Sequence, residues 1–312
     1  MYWVDPHLMD NVEGTYHIPV LLDEVMDALN IQADGIYVDC TLGGAGHARA
    51  ILQRLSDKGK LVAFDQDEAA KSNLPDDPRV IFVPQNFRHL QRFLRLYSIG
   101  QVDGLLADLG VSSHQFDEAE RGFSTRFDAA FDMRMDRRQK LKAYDVVQQY
   151  PAERLHKIFE VYGEVTNAKT LANRIATVRS KVSLQTIDGF KNAIRDLVKG
   201  NPNKYLAQVF QALRIEVNDE FGALKEMLQQ VPDILKQEGR VAIITFHSLE
   251  DRVVKNFFRR GSFEEPEENP FINTEMVSLL KPVNKKPIVA NETERKNNPR
   301  STSAKLRIAE KL

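Results

Sequence analysis

Cysteine occurs once in the chain, at Cys40, so an internal disulfide and a cysteine-built zinc site are both excluded. A reducing, cytoplasmic setting is the simplest expectation. No apolar run approaches the length that spans a bilayer, and the first residues lack a secretory signal pattern, so no membrane partner is expected. An excess of one charge is missing too: 43 Lys and Arg stand against 44 Asp and Glu. The resulting formal net charge of −1 argues against a wholesale polyanion coat, although a local basic face stays open. The seven histidines are scattered, with no His-Glu-x-x-His, and no metal site is expected. No internal repeat is evident. What is present, 312 residues of which 42% are hydrophobic and 28% charged, suits one large or two modest globular domains.

The informative stretch is Ile36-Tyr-Val-Asp-Cys-Thr-Leu-Gly-Gly-Ala-Gly-His47. Ile36 to Val38 read as a buried parallel strand ending in an acid, Asp39. Gly43, Gly44 and Gly46 permit positive φ angles and close approach of a ligand to the backbone. The helix that follows from His47 to Leu55 aims its first N–H groups at that ligand. The pattern is neither Gly-x-Gly-x-x-Gly nor Gly-Lys-Ser/Thr, which disfavours a dinucleotide or a P-loop phosphate. Lys60-Leu-Val-Ala-Phe-Asp65 is a second strand with an acid at its end, about nineteen residues beyond Gly46, where ribose hydroxyls are held in Rossmann arrangements. A glycine turn and a ribose acid without a pyrophosphate grip fit an adenosine without phosphates, of which S-adenosylmethionine (SAM) is the commonest.

Along the rest of the chain, residues 1–14 read as a short polar extension in which Trp3 has no evident docking place. Leu21–Leu29 reads as a covering helix with Pro19 near its first turn, and His17 as a capping or surface residue. Arg79–Val83 and Val102–Asp108 read as the third and fourth strands. Phe87 follows the third, where an aromatic ring can lie against an adenine face. Asp39, Asp65 and Asp108 thus end three strands, and three acids at matching positions point to a cleft. Residues 116–141 are polar, and Arg134, Arg137, Arg138, Lys140 and Lys142 follow Phe and Met residues, as suits either a solvated face or a nucleic-acid lid. From Ala143 to about Lys199 the pattern is helical, an inserted domain whose exit is Gly200-Asn-Pro-Asn203. Ala207–Gln230 reads as one long helix on which Arg214, Asn218 and Glu220 are solvated. Arg240–Ser248 reads as a fifth strand, with Ser248 capping the next helix and His247 as a junction residue. Two shorter strands are expected at Glu275–Leu280 and Lys305–Ala309.

His17-Ile-Pro-Val-Leu-Leu-Asp-Glu24, Asp39–His47, Asp108-Leu-Gly-Val-Ser-Ser113, Arg121-Gly-Phe-Ser124, Phe131-Asp-Met-Arg-Met-Asp136, Phe246-His-Ser-Leu-Glu-Asp-Arg252 and Asn298-Pro-Arg-Ser301 together resemble the bacterial 16S ribosomal RNA cytosine-N4 methyltransferase family (MraW-type). The resemblance runs nearly end to end. It implies an α/β fold: a Rossmann-like SAM-dependent methyltransferase with a mostly parallel seven-stranded sheet and an inserted all-helical domain. Residues 1–115 and 204–312 would form the methyltransferase domain, and 116–203 the lid and helical insert that recognise substrate. It implies methylation of the exocyclic N4 of one cytidine in the decoding centre of 16S ribosomal RNA, within the small ribosomal subunit; a homodimer is left open. Cofactor contacts carried over by position fall on Ala45, Gly46, His47, Asp65, Phe87, Asp108 and Gln115. Asp108 is either the catalytic acceptor of the amine proton or a cofactor contact only. The Pro-Pro-aromatic segment of DNA amino-methyltransferases is replaced by Asp108-Leu-Gly-Val, so the base-stacking ring is expected elsewhere, among Phe123, Phe127 and Phe131. The other readings are a DNA amino-methyltransferase and a non-catalytic SAM- or RNA-binding assembly factor. Cys40 is expected to be buried, not nucleophilic.

Overall fold

The structure, a computed structural model, describes residues 19–263 and 278–312. Trp3, His17 and residues 275–277 of the Glu275–Leu280 segment lie outside the described residues. In chain order, helix α1 (Leu22–Leu29) leads into strand β1 (Ile36–Asp39) and helix α2 (Gly46–Leu52). Strands β2 (Lys60–Phe64) and β3 (Val80–Val83), helix α3 (Leu90–Leu96) and strand β4 (Val102–Asp108) complete the first half of the sheet. A short helix α4 (Ser113–Asp117) opens a lid segment. The insert then runs through α5 (Ala143–Gln149), α6 (Ala152–Val161), α7 (Ala168–Val178), α8 (Ile187–Ile194) and α9 (Pro202–Asn218). The chain returns by α10 (Glu220–Ile234), β5 (Leu235–Thr245), α11 (Ser248–Arg260), β6 (Leu280–Pro282), α12 (Glu292–Asn297) and β7 (Lys305–Lys311).

The strands form one seven-stranded sheet in the order β3-β2-β1-β4-β5-β7-β6. The first five run parallel, and β7 runs antiparallel to both β5 and β6. Strands buried on both faces need apolar side chains throughout, which explains the unbroken runs at 61–64 and 241–244. One face is covered by α3, α10 and α11 through Leu90, Leu94, Leu228 and Phe258. The other is covered by α1 and α2 through Val25, Met26, Ala48 and Ile51. Strand order reverses between β1 and β4, and a crevice opens at the carboxyl ends of these strands. No helix among the described residues is long and apolar enough to cross a membrane.

The span read as one helix from Ala207 to Gln230 is two. Asp219 takes a left-handed conformation (φ 46°) and divides α9 from α10. The two halves serve different cores: Val209, Phe210, Leu213 and Val217 pack with the insert, whereas Leu224, Met227 and Leu228 pack on the sheet. Helical periodicity continues across the break because both halves bury an apolar stripe, so the pattern alone could not locate it. The apolar cluster of the insert takes in α9 as far as Val217. β5 also begins earlier than Arg240, with a register shift against β4 between Val102 and Gly104.

Asn218, read as solvated, is buried and joins the insert to the lid. Its Oδ1 accepts the Met135 N–H (2.7 Å), and its Nδ2 donates to the Met133 carbonyl (2.8 Å) and the Arg214 carbonyl (2.9 Å). Replacing it by Leu strands a buried N–H and a buried carbonyl. Asn218→Leu is expected to lose about 2 kcal/mol or more of stability in urea unfolding. A loss below ~0.5 kcal/mol would show that the lid is anchored by other contacts.

Candidate active site at the sheet switch point

A cavity of about 500 Å³ occupies the crevice. Its first wall is the glycine turn. Gly43 (φ 45°) and Ala45 (φ 60°) take the left-handed conformation, whereas Gly44 and Gly46 do not. Gly46 is required for another reason: a Cβ there would collide with the ring of Pro19. The Gly43 N–H donates to Asp65 Oδ2 (2.8 Å), and Asn73 Nδ2 donates to the Gly43 carbonyl (2.8 Å), so the turn is braced from β2 before any ligand enters. Gly46, His47, Asp65, Phe87, Asp108 and Gln115 all line this cavity. Ala45 does not: it is fully buried beneath the wall and shapes the turn through its backbone.

The three strand-end acids differ in surroundings. Asp65 Oδ1 accepts the Asp67 N–H (2.8 Å), and burial pushes its pKa up to about 6 despite that bond and the one to Gly43. Asp39 is buried behind the wall, with Oδ1 accepting the Thr41 N–H (3.0 Å) and Oδ2 making no hydrogen bond; burial pushes its pKa up to about 7. Asp108 sits beside the cavity with Oδ2 3.9 Å from His47 Nδ1 and Oδ1 making no hydrogen bond. Burial, then the charges of Asp39 and Glu250, push it up to about 8. His47 is held from behind by the Val20 carbonyl, 3.0 Å from its Nε2. Cys40 is buried, and burial with the neighbouring Asp39 raises its thiol well above the ordinary range, so it holds no thiolate for nucleophilic attack.

The opposite wall contains residues that the sequence pattern left as solvated or incidental. Arg214 Nε and Nη2 donate to Glu220 Oε1 and Oε2 (2.8 and 3.0 Å), and both side chains are largely buried. Burial works against the Arg214 charge, but Glu220 and Glu250 outweigh it and raise its pKa. His247, not Ser248, caps α11: its Nδ1 accepts the Glu250 N–H (3.4 Å), while its Nε2 lies 3.1 Å from Glu250 Oε1. Burial opposes the Glu250 charge, yet His247 and Arg214 hold its pKa below the usual carboxylate range. Asn298-Pro-Arg-Ser301 points Arg300 into the cavity, where it meets Ser113 Oγ. The only sequence signal for these positions was the pair of distal motifs that contain His247 and Arg300.

The lid is bound to the nucleoside side by a buried ion pair. Arg121 Nη1 donates to Asp67 Oδ2 (2.6 Å), which also accepts from Gln115 Nε2 (2.8 Å); Arg121 Nη2 donates to the Arg134 and Met135 carbonyls (both 3.0 Å). The basic run after it is less free than its composition suggests. Arg134 is paired with Asp132 (2.7 Å) and braces the Arg137 and Gln139 carbonyls; Arg138 is paired with Asp136 (2.8 Å). Arg137 and Lys140 remain as exposed cations of this run. Among the three aromatic candidates, Phe123 lines the cavity, but Phe131 is buried in the insert between Phe190 and Phe210, at 4.7 and 5.5 Å. Phe127 is 43% exposed outside the cavity wall. Phe116 and Phe246, not considered from sequence, line it. No cluster of three or more candidate metal ligands occurs among the described residues.

The strand order with its reversed β7, the cavity at the switch point and the glycine turn braced by Asp65 define a Rossmann-like methyltransferase domain carrying a helical insert. The family model described as the MraW methylase family matches residues 14–312, and the chain belongs to that family. It is 53% identical over 304 residues to the ribosomal RNA small subunit methyltransferase H of Bacteroides thetaiotaomicron, covering 97% of this chain and 100% of that protein. It is 50% identical over 299 residues to the protein of the same name from Christiangramia forsetii, covering 95% and 98%. Among solved structures, an rRNA methylase from Streptococcus thermophilus aligns over 93% of both chains at 13% identity with a TM-score of 0.38, a likeness too remote to carry any argument.

Because Asp39, Asp65 and Asp108 all have raised pKa values, the folded chain binds more protons than the unfolded chain between about pH 4 and pH 8. Their contribution to stability is full below about pH 4 and declines as pH rises toward 8. Asp108→Asn removes one of these penalties. Its melting temperature relative to wild type is expected to rise by about 3 °C or more between pH 5 and pH 8, read by scanning calorimetry on ligand-free protein. Parallel melting curves across that range would mean that Asp108 is not held in its protonated form.

Proposed function

We propose that the chain transfers a methyl group from SAM to the exocyclic N4 of a specific cytidine in 16S ribosomal RNA, at the decoding centre of the small ribosomal subunit. One observation carries this reading: a single cavity is lined by Asp65 and Phe87, which suit a nucleoside, by the aromatic rings of Phe116, Phe123 and Phe246, and by Asp108. The residues fit the methyl donor. Asp65 already binds backbone N–H groups and can turn to ribose hydroxyls, Phe87 offers a ring at the tip of β3, and Asp108 has a buried oxygen without a partner. When bound, SAM supplies a methyl group on a cationic sulfur.

The amine of cytosine is a weak nucleophile because its lone pair is delocalised into the ring. A residue that accepts a hydrogen bond from that amine strengthens it as it becomes tetrahedral, and afterwards takes its proton. Asp108 is proposed for that role. Its carboxyl, whose pKa burial and the charges of Asp39 and Glu250 raise, ionises more readily beside a positive charge. Phe123 and Phe246 offer rings against which a base turned out of its stack can lie. The exposed Arg137 and Lys140, with the insert, are proposed to meet the RNA backbone at a distance from the reacting base.

Incubating the protein with labelled SAM and small subunits, naked ribosomal RNA or DNA, then mapping the product by mass spectrometry, tests the assignment. The expected product is an N4-methylated cytidine in small-subunit RNA; label in DNA, or none at all, overturns it. Asp108→Asn is expected to bind SAM within a few-fold of wild type by calorimetry and to lose about 10²-fold or more in kcat. Full turnover in that variant would reduce Asp108 to a cofactor contact.

A further inference from the structure

At the rim of the cavity, on the β4 side, two guanidinium groups gather on one aromatic ring. Arg126 lies over Phe116 at 5.1 Å from the ring centroid, and Arg300 lies over the same ring at 5.7 Å. They come from distant parts of the chain, Arg126 from the lid and Arg300 from the turn after α12. Both reach toward one carboxylate: Arg126 Nη2 is 3.3 Å from Asp117 Oδ1, and Arg300 Nη2 is 3.8 Å from Asp117 Oδ2. Two cations share one anion, so the group keeps a net positive charge. Burial lowers the pKa of Arg300, Asp117 and Asp108 oppose that shift, and the nearness of Arg126 adds to it.

Phe116 and Arg300 line the cavity, whereas Arg126 is 59% exposed beyond it, so the cluster runs from the pocket outward. The side-chain contacts of Arg126, to Ser124 Oγ and Asp117, are both 3.3 Å, too long to fix a guanidinium firmly. By contrast, Arg134 in the basic run is tied by short bonds to Asp132 and to two carbonyls. The cations that the lid leaves available beside the reacting base are therefore not those in the densest basic stretch.

We infer that Arg126 and Arg300, seated on Phe116, bind a phosphodiester of the RNA strand directly adjoining the target nucleotide. A planar guanidinium pair matches phosphate oxygens in bidentate fashion. The ring beneath keeps both groups oriented while their outer N–H groups face the strand. A phosphate entering there displaces the long contacts to Asp117, and the flanking backbone is fixed while the base enters the cavity. This rests on the reading of the acceptor as RNA given above.

The test uses the full-length protein with labelled SAM and small ribosomal subunits, scored by methyl transfer across a KCl series. Arg126→Gln is expected to raise KM for the subunits about tenfold with kcat within about twofold. It is also expected to flatten the slope of log(kcat/KM) against log[KCl] by roughly 0.7 to 1. Asp117→Asn separates binding from scaffolding. If the guanidiniums bind phosphate, losing the competing carboxylate lowers KM; if Arg126 acts only by holding Asp117, Asp117→Asn raises KM as Arg126→Gln does. Unchanged KM and salt slope in Arg126→Gln, or a raised KM in Asp117→Asn, overturns the inference while leaving the methyl-transfer reading intact. A wild-type protein that methylates no RNA sinks both.

Discussion

The Arg121 guanidinium lies 3% exposed in the interior, 2.6 Å from an almost equally buried Asp67, with its Nη2 donating to two lid carbonyls. Removing either partner of such a pair leaves an uncompensated buried charge, typically at a cost of about 3–5 kcal/mol. That penalty joins the turn after β2 to a lid residue 54 positions further along the chain. Gln115 adds a second side-chain partner to Asp67 and also closes the capping box of α4 with Ser112. The lid thus shares its attachment with the residues that line the nucleoside half of the cavity, and loosening one loosens the other.

On this frame, the sheet edge tolerates an arrangement that would otherwise be unfavourable. Three carboxyls end adjacent strands in low-dielectric surroundings, and two of them retain a buried oxygen without a hydrogen bond. A structure selected for stability alone would neutralise or separate them. Their persistence at a cavity wall fits a site where charge is supplied by the ligands. The opposite wall follows a different principle: Arg214 is paired with Glu220, and His247 lies beside Glu250, so its polar groups have partners within the wall.

Much of the methyltransferase half was legible because its signals are local. Apolar runs ending in Asp39, Asp65 and Asp108 became β1, β2 and β4, and the glycine turn lies where the runs placed it. The roles within the turn were less legible. Ala45, with a Cβ, takes a left-handed conformation, while Gly46 is needed for a neighbour, Pro19, twenty-seven residues away in sequence. The basic run at 134–142 misled for a related reason. Composition counts charges, but Arg134 and Arg138 are matched by acids two residues before each, a pairing that depends on the local turn.

The sequence by itself determined the parallel sheet, the ligand type suited to its first turn and the presence of a helical insert, because strand hydrophobicity, glycine conformation and helical periodicity act over a few residues. Only the tertiary structure decided which polar residues are buried and which face one another. Arg214, Asn218, Glu220 and Glu250 have ordinary helical surroundings in sequence, and their burial comes from the meeting of α9, α10 and α11 with the lid. The pairing of Arg126 with Arg300 arises in the same way, from segments about 170 residues apart. Electrostatics in a cavity depend on distances through space, and the three packed layers set those distances.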